Sequence, residues 1–275
     1  MKFKYLVIAF SIIIVLILFT TALLSFVFAD SLSVTNLRYL TLPVFFFMVV
    51  ILISLGIFLL FNYRLFLLLE REDWPALAYY LEQKVLVKDR FSTRNVRLLA
   101  SSYMVISDHS SVLKLEIRTA LAKPSVVEKN VLIFGAARVL NGNFAEAAAF
   151  FKTYLDKSGI KAKDKEWVRW FYGFSHLLSG SFSQAEPEFL YLAASSRDAI
   201  ITGLSSYFLF STLSKHSLKP QECSAAAEGG KKRVTDALKN AGGWKREVDK
   251  LTAEIHIAII RKYIEETDNW LFKGR

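Results

Sequence analysis

At 275 residues, with 53% apolar residues and a mean hydropathy of +0.32, the chain is too hydrophobic for an ordinary soluble domain. The formal net charge is +10, and the single cysteine, Cys223, excludes both an intrachain disulfide and a cysteine-based zinc cage. A basic protein with a membrane portion, suited to a reducing compartment, is implied.

The apolar excess lies at the N-terminus. No Asp, Glu, Lys or Arg occurs in 5–29 or in 39–63, and each run exceeds the roughly 20 residues that cross a bilayer core as a helix. Both runs read as transmembrane helices, so 1–64 forms a membrane anchor. Lys2, Lys4 and the Val27-Phe28-Ala29 stretch would also suit a secretory signal, but the apolar core is far longer than the usual ~7–15 residues. Lys2 and Lys4 precede the first run, whereas Arg64 and Arg71 follow the second. The short connector carries only Asp30 and Arg38, so both termini are expected on the cytoplasmic side.

After Arg64 the second span continues as LFLLLERED, and Trp74-Pro75 then opens a segment with helical apolar spacing at Leu77, Tyr80, Leu81 and Val85. A better-marked unit comes next. Val96, Leu99, Ala100 and Tyr103 line a first helix, Ser107 stands at the turn, Val112 lies in a second helix, and Pro124 ends it.

The clearest pattern runs over 131–154, VLIFGAARVLNGNFAEAAAFFKTY, and returns in recognisable form over 169–192, RWFYGFSHLLSGSFSQAEPEFLYL. Gly135 matches Gly173, Gly142 matches Gly180, Phe144 matches Phe182, Ala147 matches Ala185, and Phe151 matches Phe189. The turn positions Glu72, Ser107, Gly142 and Gly180 therefore fall at nearly even intervals along the chain. Each interval lies within the ~20–50 residues of repeat architectures and signals stacked helical hairpins, since one pair cannot cover its own apolar face. Asn143 with Glu146 and Ser183 with Glu186 have capping-box spacing, which would put Pro187 in a first helical turn. A loop over 158–165 would hold the extra residues of the longer unit.

This pattern of small and aromatic residues resembles the tetratricopeptide repeat (TPR) family. The resemblance implies an all-α fold: two N-terminal transmembrane helices, TPR-like repeats over 65–197 forming an α-solenoid, and over 198–275 a degenerate repeat with C-terminal capping helices. His109 at an aromatic turn position, and Arg138 and His176 where the family has a first-helix Tyr, depart from its pattern. The overall plan is similar to that of two-span, TPR-bearing bacterial inner-membrane proteins linked to haem synthesis, which suggests a bacterial inner-membrane location. In the C-terminal part, 199–213 is apolar enough for a helix. Pro220, Gly229-Gly230 and Gly242-Gly243 divide the remainder, and 244–272 carries helical spacing expected of one capping helix.

Motifs for chemistry are lacking. Gly229-Gly230-Lys231-Lys232 misses the first glycine and the hydroxyl residue of a phosphate-binding loop, and neither GxSxG nor HExxH occurs. His109, His176, His216 and His256 show no metal-ligand spacing, so no cofactor, metal or catalytic residue is expected and the chain does not read as an enzyme. The site-like feature comes from the TPR resemblance, because in that family the first helices line a concave surface that takes peptides or partner helices. It places Arg94, Arg97 and Ser101 at a basic end of such a groove, and Leu132, Ala136, Trp167, Trp170 and Phe174 toward an aromatic end. Basic clusters at Lys161/Lys163/Lys165, Lys231/Lys232/Arg233 and Lys245/Arg246/Lys250 would add attraction for anionic lipid. Nucleic acid is not expected, since no reading module is present. The expected activity is that of a cytoplasm-facing scaffold or adaptor for a protein partner. The alternative is an accessory subunit of a membrane enzyme or transporter complex, contacting it mainly through the transmembrane helices.

Overall fold

The computed structural model describes residues 12–17, 19–20, 34–252 and 254–273, and every regular element among them is helical. The chain divides into two units, Met1–Tyr80 and Leu81–Arg275.

In the first unit, α1 (Val34–Glu70) is a 37-residue helix. It contains the expected 39–63 span, but the segment of α1 long and apolar enough to cross a membrane is Val49–Glu70. Leu60 and Phe61 on it are 79% exposed. Most of the expected 5–29 span lies outside the described residues; 12–17 and 19–20 within it are helical. α1 ends at Glu70, Arg71 to Asp73 form the turn, and α2 (Trp74–Glu82) follows. Arg64 lies over the Tyr80 ring, 5.4 Å from its centroid.

The second unit runs from a π-helical turn, Gln83–Val87, through α3 (Thr93–Val105), α4 (His109–Ala122), the short α5 (Pro124–Glu128), α6 (Val131–Leu140) and α7 (Phe144–Tyr154). It continues with α8 (Ala162–Leu178), α9 (Phe182–Ser195), α10 (Ala199–Phe208), extended by Leu209–Leu213 and Ser214–His216, and α11 (Pro220–Leu238). Neighbours in sequence are neighbours in space: α3 packs on α4, α4 on α6, α6 on α7, α7 on α8, α8 on α9, α9 on α10 and α10 on α11. Each first helix also touches the next first helix, α3 on α6 and α6 on α8.

The four turn positions share one backbone state. Glu72, Ser107, Gly142 and Gly180 have φ of 54°, 60°, 77° and 74°, the left-handed region that reverses a helix end. At Ser107 the amide donates to the Met104 carbonyl at 3.1 Å, and the next amide, Asp108, donates to Tyr103 at 2.9 Å. Glu72/Asp73 and Gly180/Ser181 repeat both bonds, so three of the four turns are complete Schellman motifs. The residue after each turn then opens the next helix. The Asp73, Asp108 and Asn143 side chains accept from the amides of Ala76, Ser111 and Glu146.

The interhelix contacts repeat as well. A Cβ added at Gly135 would run into the Phe151 ring, and one at Gly173 would stand 3.5 Å from the Phe189 ring. Leu77, Val112, Ala147 and Ala185, the register partners in each second helix, are all buried. Burying such a position excludes water from the helix contact and leaves no room for a larger side chain.

Several local expectations are corrected. Ser181, not Ser183, precedes α9, so Ser183 lies inside the helix and Pro187 sits in its second turn. The amide missing at Pro187 would have bonded the carbonyl of Ser183, an exposed residue that water can reach. Gly229-Gly230 does not divide the chain but lies within α11, where a Cβ on Gly230 would collide with Ser206 of α10. Helix α8 starts at Ala162, so the loop ends earlier than 165. The expected single capping helix over 244–272 is broken into α12 (Ala241–Asp249), α13 (Ile255–Ile259), α14 (Arg261–Asp268) and a π turn, Asn269–Lys273. The breaks let Trp244 cover Gly203, His256 reach Trp167, and Tyr263 reach Phe174 and Phe208.

Candidate functional site

The eight residues expected along a groove separate into two groups. Arg94 and Arg97 on α3 are exposed and Ser101 is half-buried. Ala136, Trp167, Trp170 and Phe174 are interior, each no more than 2% exposed, and Leu132 is buried beside them. The aromatic end is therefore closed to an outside partner. Trp170 stacks on Phe174 at 4.8 Å and meets Phe208 at 5.9 Å, and Phe174 meets Tyr263 edge-on at 5.4 Å. The apolar surface of these rings is large enough that the chain's own α10, α13 and α14 cover it.

Arg138 and His176, on α6 and α8, have structural roles in this fold. Arg138 on α6 is buried and forms an ion pair with Glu116 of α4. Its Nε also lies 3.4 Å from Glu146, and its guanidinium sits 4.2 Å over the Phe150 ring. Burial pushes the Glu116 carboxyl above its ordinary range, while the Arg138 hydrogen bond pulls it back. His176 packs edge-on against Tyr172 at 4.7 Å, and burial lowers its pKa below the ordinary imidazole value. Cys223 is fully buried in α11, and burial pushes its thiol up, away from the reactive thiolate.

What remains open at the basic end is a cavity of about 290 Å³. Four stretches remote in sequence converge on it: Arg97 and Ser101 from α3, residues 129–133, the start of α8, and Lys250, Leu251 and Glu254 to His256 around the α12–α13 link. Arg97 is held in place by donating from Nε to the Asn130 side-chain oxygen at 3.1 Å and from its terminal nitrogen to the Lys129 carbonyl at 2.9 Å. Asn130, only 2% exposed, donates in turn to the Val126 carbonyl at 2.9 Å. The amide side chain thus ties α5 to α3 through the guanidinium instead of capping α6.

The charge of the lining is unbalanced. Five cationic residues, Arg97, Lys129, Lys161, Lys163 and Lys250, face two acids, Asp164 and Glu254, a difference of +3. His256 forms part of the wall and stays neutral, because burial, with Arg97 and Lys163 adding to it, lowers its pKa to about 3. The sequence alone marked Arg97, Ser101, Leu132 and Trp167. It did not mark Lys129, Asn130 or His256, and His256 stood as one of four scattered histidines. Two of the three basic clusters contribute lysines here. The third is used in packing: Arg233 donates to the carbonyls of Ala193 and Ser196 at the end of α9, and Lys231 lies 4.7 Å over the Trp270 ring.

A family described as "Uncharacterised Treponema protein" matches residues 111–273, more than half of the chain. The chain belongs to this Treponema family. A relative from Treponema pallidum (strain Nichols), described as "Uncharacterized protein", is 27% identical over 238 residues, covering 82% of this chain and 74% of its own length. The family match takes in Lys129, Asn130, the start of α8 and His256; Arg97 and Ser101 precede it.

Proposed function

We propose that the protein is a TPR-like α-solenoid, anchored by two N-terminal transmembrane helices, that serves as a cytoplasm-facing scaffold for a protein partner. The single observation that carries this reading is the left-handed turn at Glu72, Ser107, Gly142 and Gly180, nearly evenly spaced and each followed directly by a new helix. Equivalent hairpins stacked this way present their first helices as one continuous surface. Because the aromatic end is buried, the partner surface narrows to Arg94, Arg97 and Ser101, which favours an acidic segment. The protein acts by binding and not by catalysis. Anionic lipid is a second contact for its basic surface, and the membrane is a bacterial inner membrane.

A photo-crosslinker at Ser101, in intact membranes, tests the binding surface. The reading expects a protein adduct that Arg94→Glu abolishes and that survives replacement of the spans by an unrelated anchor. An adduct that disappears with the native spans points to the accessory-subunit alternative. For sidedness, a cysteine at Ser158 in a Cys223→Ser background should resist impermeant thiol reagents until the cells are lysed.

A further inference from the structure

We propose that the cavity between α3, the start of α8 and the α12–α13 link binds a small polyanion carrying two or three negative charges on phosphate. At about 290 Å³ it lies at the lower edge of ligand-pocket sizes, which suits a compact anion better than a drug-sized molecule. Its lining holds an excess of three positive charges, one of which, Lys250, is already paired with Glu247 at 2.6 Å, and a recess focuses the remaining field on whatever enters.

Two further features of the wall fit an acceptor-rich ligand. Lys161, the residue before α8, offers no side-chain cap, so the first amides of that 17-residue helix are open to an anion beside Lys161 and Lys163. Arg97 is fixed by two hydrogen bonds through Asn130 and Lys129, so the guanidinium is ordered before a ligand arrives. Lys129, Lys161 and Lys163 are exposed and can turn toward an anion as point charges.

The test is isothermal titration of inorganic pyrophosphate into the full-length protein in detergent. The proposal expects saturable binding at one site per chain, weakened about tenfold or more in Lys161→Glu/Lys163→Glu, where both residues are exposed, with an unchanged melting temperature showing that the variant is folded. Lys232→Glu/Lys239→Glu makes the same change in net charge at two exposed residues outside the cavity lining and should leave binding within about threefold of the parent. Absence of saturable binding, or equal losses in the two double variants, overturns the site. The readout is heat from a small anion, so it does not depend on whether a protein partner docks on the first helices.

Discussion

The Phe151 ring of α7 lies directly on Gly135 of α6, occupying the space a Cβ would need, and in the next hairpin Phe189 faces Gly173 in the same relation with more clearance. At Gly173 the nearest atom to an added Cβ would be the Glu188 Cβ at 3.1 Å. The two glycines are therefore equivalent in register but not in tightness.

Gly135→Ala should destabilise the protein by about 1–3 kcal/mol through overpacking against a fully buried ring. A gain of up to ~1 kcal/mol in helix propensity only partly offsets it. Gly173→Ala should be near neutral, because that same gain meets a milder contact. Urea unfolding of the full chain, followed by tryptophan fluorescence, separates the two.

The left-handed turns predict opposite signs for opposite substitutions. Ser107 holds φ of 60° with a Cβ, and Ser107→Gly should stabilise by about 1 kcal/mol. Gly142→Ala should destabilise by a similar ~1 kcal/mol. Nothing lies within 4 Å of a Cβ at Gly142, so the loss there would be conformational and not steric. Thermal melts of the two variants check both signs.

Much of this backbone was legible in the residues themselves. Glycine at 142 and 180 announces the turn, and the matching positions Glu72 and Ser107 follow from spacing although neither residue favours a left-handed conformation. Buried Ala147 and Ala185 were equally readable. The C-terminal part was not, because a helical apolar period over 244–272 cannot report that the chain breaks to lay Trp244, His256 and Tyr263 on three different partners. The candidate site was half-legible for the same reason. Arg97 and Trp167 lie on regular first helices, whereas Lys129, Lys250 and His256 reach the cavity only through the path of the connecting segments.

His256 gives the protein a pH dependence of known sign. Its imidazole is neutral in the folded state, with a pKa of about 3, against an ordinary value of 6.5. Well above 6.5 the group is neutral in both states and costs nothing. As pH falls from 6.5 toward 3 the unfolded chain takes up the proton and the folded one does not, so stability is lost progressively. Between neutral pH and pH 5 the loss should reach ~2 kcal/mol, at about 1.36 kcal/mol per unit. His256→Phe, which keeps a ring against Trp167 and Phe171, should flatten that slope in urea unfolding measured at both pH values.

The repeat register underlies the placement of Arg94, Arg97 and Ser101 on one face, and it is tested most directly by paired substitutions on α7. Ala147 is fully buried and Ala149, two residues and about 200° around the helix, is exposed. Ala147→Leu should cost ~1–3 kcal/mol and lower the melting temperature, with loss spreading to the neighbouring hairpins. Ala149→Leu should leave the melting temperature nearly unchanged. Equal melting temperatures for the two variants would contradict the register and, with it, the stacked-hairpin account of the chain.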